Sequence, residues 1–134
     1  MSQAKAVLDQ YESATDTWHR LCHRQQLVPN SGVVAWFSGA QIALFFIPHM
    51  QQGKRLYAIH NRDPQSGANV IGRGMLGQLN GAIVVASPLY KQHFRLEDGQ
   101  CLEKAEQRLQ VWPVRLNDDR VEIRCLGNQA AMNI

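Results

Sequence analysis

Two polar segments hold the side chains of this chain best suited to chemistry: Asn61-Arg62-Asp63-Pro64-Gln65-Ser66-Gly67-Ala68, and Ser87-Pro88-Leu89-Tyr90-Lys91-Gln92-His93-Phe94 followed by Asp98-Gly99. Asp63 and Ser87 can accept and donate hydrogen bonds, and Tyr90 can lay a ring across a gap between the segments. Pro64 and Pro88 stiffen both segments, so their tips should persist as a preformed surface. An Asx-type turn before Pro64 is an equal reading of Asp63. His93 has no acidic residue near it in sequence to support general acid or base work, and it alternates with Phe94, the better core residue. No Ser/His/Asp spacing, Gly-rich phosphate loop or pair of catalytic carboxylates is legible elsewhere. Asn61, Arg62, Arg73, Tyr90, Lys91, Gln92 and His93 surround the two tips. Tyr and Arg are the residues interfaces favour as anchors, which makes this set the candidate docking surface.

Several stretches in fixed order resemble one family. They are Val33 to Ile47, Tyr57 to Pro64, Asn69-Val70-Ile71-Gly72-Arg73-Gly74, and Val85 to Phe94, within a span from about Trp18 to Arg124. The two polar segments resemble the cluster-binding loops of a Rieske iron–sulfur domain, which bind a [2Fe-2S] centre through two thiolates and two imidazoles. Those loops read Cys-x-His and Cys-x-x-His, and here the four positions are Asp63, Gln65, Ser87 and Tyr90. The spacing from Gln65 to Ser87 also exceeds a typical one. Asp63 could ligate iron as a carboxylate and Tyr90 as a phenolate, but these loops offer no sulfur to a centre that soft ligands stabilise. A Rieske-like scaffold without its ligands is similar to the small subunit of the bacterial NADH-dependent assimilatory nitrite reductase. That resemblance implies a chain with no metal or cofactor of its own and no catalytic residue. It also implies a large partner subunit carrying FAD, a [4Fe-4S] cluster and sirohaem, which reduces nitrite to ammonium.

The elements that must position these loops read as β-structure. After residues 3 to 13, where Ala4, Val7, Leu8 and Tyr11 at helical spacing predict a short amphipathic helix, the pattern changes to short apolar runs cut by Gly, Pro, Asn and Asp. Strands are predicted at Trp18 to Cys22, Val33 to Phe37, Gln41 to Ile47, Arg55 to His60, Ala82 to Ala86, His93 to Leu96, Gln100 to Glu103, Gln110 to Leu116 and Arg120 to Cys125. Asp98-Gly99 predicts a tight primed hairpin, and Asn117-Asp118-Asp119 closes another, with Val111, Val114, Leu116, Val121 and Ile123 facing inward. Pro113 predicts an edge or a bulge. Gly67 to Gly81 reads as a long irregular connection. The expected fold is all-β, a Rieske-like antiparallel sandwich or barrel over 18–126, with a partly helical extension over 1–17 and a flexible tail over 127–134.

Composition narrows the remaining classes. At 134 residues, with 45% hydrophobic and 19% charged residues, the chain fits one folded domain and not a disordered one. The longest apolar run, Ile42 to Ile47, is strand-sized and does not span a membrane, and Met1 to Tyr11 does not read as a secretory signal. Cys22, Cys101 and Cys125 lack C-x-x-C spacing and read as reduced, partly buried thiols, which places the chain in the cytoplasm. His19-Arg20-Leu21-Cys22-His23 looks superficially like a metal site, but on a strand His19 and Cys22 point apart. A net charge of +3 from scattered Lys and Arg excludes a nucleic-acid footprint yet suits an acidic protein partner. Two rivals to the subunit reading stand: a working [2Fe-2S] electron carrier with unusual ligands, and a stand-alone β-module that binds a small molecule or an unrelated protein.

Overall fold

In a computed structural model, which describes residues 17–50 and 53–125, the apolar run around Ala43 becomes β3 (Ala40–Phe46), and six of its seven residues are buried. A strand that is apolar on consecutive positions must have both faces covered. Ile42, Leu44 and Phe46 enter one core with Leu56, Trp112, Val121 and Ile123. Ala43 and Phe45 enter a second core on the opposite face, with Ile59, Ile71, Val85, Phe94 and Leu96. β3 lies in a four-stranded antiparallel sheet with β2 (Gly32–Phe37), β4 (Leu56–His60) and β8 (Val111–Trp112), ordered β2-β3-β4-β8. A three-stranded sheet of β1 (Trp18–His23), β10 (Arg120–Arg124) and β9 (Val114–Asn117) supplies the first core. A second, of β5 (Met75–Leu79), β6 (Ala82–Ala86) and β7 (His93–Arg95), supplies the other. The all-β antiparallel expectation therefore holds.

Local sequence explains where the sheets begin and end. Pro113 divides one predicted strand in two: β8 pairs with β4 and β9 pairs with β10, so the residue without an N–H marks the crossing from sheet to sheet. Val114, Leu116, Val121 and Ile123 face the first core as predicted, but Val111, on the other side of that crossing, packs against the second. In β1 the register shifts between Arg20 and Cys22. His19 lies against the Phe37 ring at 5.6 Å while Cys22 packs toward the core. Among the described residues no group of His, Cys, Asp and Glu could hold a metal, and Cys22, Cys101 and Cys125 form no disulfide, the last two being buried.

Three predictions are corrected. The supposed irregular connection up to Gly81 contains β5, joined to β6 through Asn80 at φ 52 and Gly81 at φ 78. Both residues are left-handed, as a primed two-residue turn requires, and Asn-Gly is the dipeptide that favours it. The strand predicted at Gln100 to Glu103 reduces to isolated bridges, Phe94 with Cys101 and Gln100 with Arg108. Asp98-Gly99 is not a primed pair, because only Gly99 has positive φ, at 80. Asp98 instead accepts from Gln100 N at 3.1 Å and from Arg95 Nε at 3.0 Å, bracing a wider turn. The predicted helix over 3–13 and the tail over 127–134 lie outside the described residues, and no helix among the described residues is long and apolar enough to cross a membrane.

Candidate functional site

The loop after β4 and the loop after β6 meet at one end of the second core, and Asp63 is the joint. Its carboxylate is fully buried. Oδ1 accepts from Gln65 N at 2.7 Å and from Ser66 N at 3.4 Å, the Asx-type turn, while Oδ2 accepts from the Ser87 hydroxyl. The two readings of Asp63 thus coexist in one side chain, using one oxygen each. The backbone closes the first loop through Asp63 N to Ala68 O at 2.8 Å and Gly67 N to Asp63 O at 2.7 Å. In the second loop, Ser87 N donates to Gln92 O and Lys91 N to Ser87 O, each at 2.9 Å, with Lys91 at φ 59.

A third segment, after β7, braces both loops. Gln65 Oε1 accepts from Lys104 Nζ at 2.8 Å and Gln107 Nε2 at 2.9 Å, and Gln92 Nε2 donates to Gln107 Oε1 at 2.8 Å. Lys104 and Gln107 belong to no pattern visible in the sequence, since only folding brings a chain stretch with so little strand onto the loops. Of the four positions singled out by spacing, Asp63 and Ser87 are joined directly and Gln65 reaches the third segment. Tyr90 is 59% exposed at the tip of its loop and does not tie the two loops together.

The predicted docking set divides. Arg62, Arg73, Tyr90 and Lys91 are exposed. Asn61 and Gln92 are buried and serve the scaffold. Asn61 Oδ1 accepts from Gly72 N at 2.6 Å and its Nδ2 donates to Gln41 Oε1 at 3.0 Å, clamping the 3-10 turn Ile71–Arg73 onto β3. A short polar side chain that satisfies the buried Gly72 N–H and a side-chain carbonyl at once is committed to the scaffold, which is why this position is not free to recognise a partner. His93 is half-buried and does have an acidic partner, ten residues away: Glu103 accepts from His93 N at 2.7 Å and pairs with the ring at 2.6 Å. Partial burial works against ionisation of Glu103, but the hydrogen bonds from His93 outweigh it and hold that carboxyl below its usual range.

Beside the first loop lies an open recess of about 260 Å³ lined by Trp36, Gln41, His60, Arg62 and Asn69. Burial, with the Arg62 charge added to it, pushes the His60 pKa down. The unfolded chain then takes up a proton near pH 6.5 that the folded chain refuses, so stability falls as pH drops through that value. We expect the melting temperature to decline from pH 7.5 to 5.5 and His60→Gln to flatten part of that decline. Superimposable pH profiles for the two proteins would refute it.

Residues 17–124 match the Rieske-like [2Fe-2S] domain family. The nitrite reductase (NADH) small subunit of Salmonella typhimurium is 37% identical over 107 residues, covering 80% of this chain and 96% of that protein. The solution structure of the Escherichia coli protein NirD is 35% identical with a TM-score of 0.71, covering 81% of this chain and 96% of that one. The nitrite reductase [NAD(P)H] large subunit of Klebsiella oxytoca is 38% identical over 112 residues, which are 84% of this chain but 11% of that much longer protein. Taken with the two-loop geometry, these likenesses place the chain in the Rieske-like domain family, among the small subunits of NADH-dependent nitrite reductase.

Proposed function

We propose that the chain serves in the cytoplasm as the non-catalytic small subunit of NADH-dependent nitrite reductase, and that it works without a cluster of its own. The observation that supports this reading is the Asp63 junction. Its oxygens are taken by Ser87, Gln65 and Ser66, and no thiolate stands at any of the four positions. Such donors do not fit a [2Fe-2S] centre, which draws its stability from sulfur ligands. Cys101 offers no substitute, because it is buried with its thiol toward Glu103 at 3.7 Å. A hydrogen-bonded carboxylate thus joins the loops where a metal would otherwise do so. The chemistry, nitrite to ammonium at the expense of NADH, belongs to the large subunit with its FAD, [4Fe-4S] and sirohaem. Exposed Arg62, Arg73, Tyr90 and Lys91 are the members of the docking set left to contact that partner.

The test is to purify the chain anaerobically from cells grown on nitrate. A large redox flavoprotein should come down with it, and the separated small chain should be colourless and unable to reduce nitrite with NADH. Stoichiometric iron and acid-labile sulfide in the separated chain would establish the electron-carrier alternative, and absence of the flavoprotein would favour a stand-alone module.

A further inference from the structure

We infer that the docking face extends beyond the loops onto the edge strand β2, as an apolar strip centred on Trp36, and that its occupant is the large redox subunit. This rests on the subunit reading above. Along β2, Val33, Ala35 and Phe37 pack against the first core, so Val34 and Trp36 are turned to the other face by the alternation of a strand. On β3 that face is covered by the second core, with Ile71 of the 3-10 turn contributing. On β2, at the edge of the sheet, the cover stops short: Val34 is 50% and Trp36 67% exposed.

The strip is continuous with the loop end. A Cβ built on Gly72 would stand 2.8 Å from Val34 Cγ2, and three residues on, Met75 is 78% exposed. Met75 pairs with Ala86, the residue before Ser87, and the second loop then presents Leu89 at 51% and Tyr90 at 59% exposure. Trp36 shares its recess with Arg62 and Asn69 of the first loop. Large apolar side chains exposed side by side on a strand edge, next to a loop end that exposes more of them, mark an interaction surface.

Charge selects the partner's chemistry. Across 32–37, 61–64, 71–75 and 87–92 the only carboxylate is Asp63, which is buried, whereas Arg62, Arg73 and Lys91 are exposed. An apolar strip rimmed by cations complements an apolar surface rimmed by carboxylates. That this surface belongs to the large subunit follows from the Klebsiella oxytoca relative, in which a region 38% identical to this chain is part of the large-subunit polypeptide itself. There the similar region and the rest of the large subunit are held in one chain.

The experiment compares the full chain with Trp36→Glu, with Met75→Lys and with Val28→Lys, measuring affinity for the purified large subunit alongside melting temperature. Val28 is as accessible as Val34, at 50%, but lies outside the strip. Trp36→Glu should bind at least about 30-fold more weakly, as loss of a tryptophan anchor does. Met75→Lys should weaken binding less, and Val28→Lys by under about 3-fold, with all three folding normally. Should Trp36→Glu melt out, Trp36→Ala gives the same comparison with a milder change. Wild-type binding unaffected by Trp36 and Met75 would overturn the strip while leaving the subunit reading intact. No binding by the wild type would overturn both. Self-association of the wild type, abolished by Trp36→Glu, would make a second copy the occupant and overturn the assignment to the large subunit.

Discussion

Asp63→Ala should lower the melting temperature by about 10–15 °C, a loss of about 3 kcal/mol for a domain of this size. The substitution strands the Ser87 hydroxyl in a buried position and removes the acceptor for Gln65 N and Ser66 N. Leaving a buried polar group unsatisfied costs about 1–3 kcal/mol, more than the net gain of making its hydrogen bond. Two companions separate the parts. Ser87→Ala spares the Asx-type turn and leaves one carboxylate oxygen unpaired, so its loss should be smaller. Asp63→Asn keeps an acceptor for the two amides and can reverse the bond to Ser87 by donating from its amide, so it should fall between alanine and wild type. The same series should leave the protein colourless throughout. A melting temperature within about 2 °C of wild type for Asp63→Ala would mean that the two loops are held by the third segment, through Lys104 and Gln107, and not by the buried carboxylate.

How much of this is legible in the sequence depends on the range of the forces involved. The unbroken apolar run of β3 announces a strand buried on both faces, because periodicity is local, but not which residue meets which core. Pro113 announces an interruption for the same local reason; that the chain changes sheets there is a tertiary fact. The Asp63 turn is legible because it needs only its next three residues, and the possibility of a bond to Ser87 because two loop tips have to be joined. The misses have two origins. β5 escapes notice although Asn80-Gly81 signals a hairpin plainly, since a strand exposed along most of its length has no inward face to show a period of two. Asn61 and Gln92 are misplaced when polarity is read as exposure, and the exposure of Trp36 leaves no mark on the pattern of its own strand. In the fold the two amides satisfy buried backbone and side-chain groups, and the tryptophan stands on an edge strand past the limit of its sheet's cover. The partners of His93 and Gln65, namely Glu103, Lys104 and Gln107, come from a segment whose placement only the folded chain determines.

Among the backbone contacts that hold that segment is the close approach of Gly99 to Leu109, and Gly99→Ala should break it. A Cβ at Gly99 would fall 1.8 Å from the Leu109 carbonyl oxygen, and Gly99 sits at φ 80. Gly81 has nearly the same dihedral, at φ 78, yet a Cβ there would meet nothing within 4 Å. Comparing the two alanine variants therefore separates dihedral strain from collision. Gly81→Ala should cost only the strain of a left-handed residue, about 1–2 kcal/mol. Gly99→Ala must add a backbone displacement, for a total of about 3–5 kcal/mol and a fall in melting temperature of about 15 °C or more. Leu109 N donates to Gly99 O at 2.8 Å, so the displacement is transmitted to both ends of the stretch that presents Glu103, Lys104 and Gln107. The loops should then loosen as well, and binding to the large subunit should weaken in Gly99→Ala but not in Gly81→Ala, whose turn lies at the far end of the β5–β6 hairpin. Equal melting temperatures for the two variants would show that the chain around Leu109 yields without cost, and that the third segment does not brace the site.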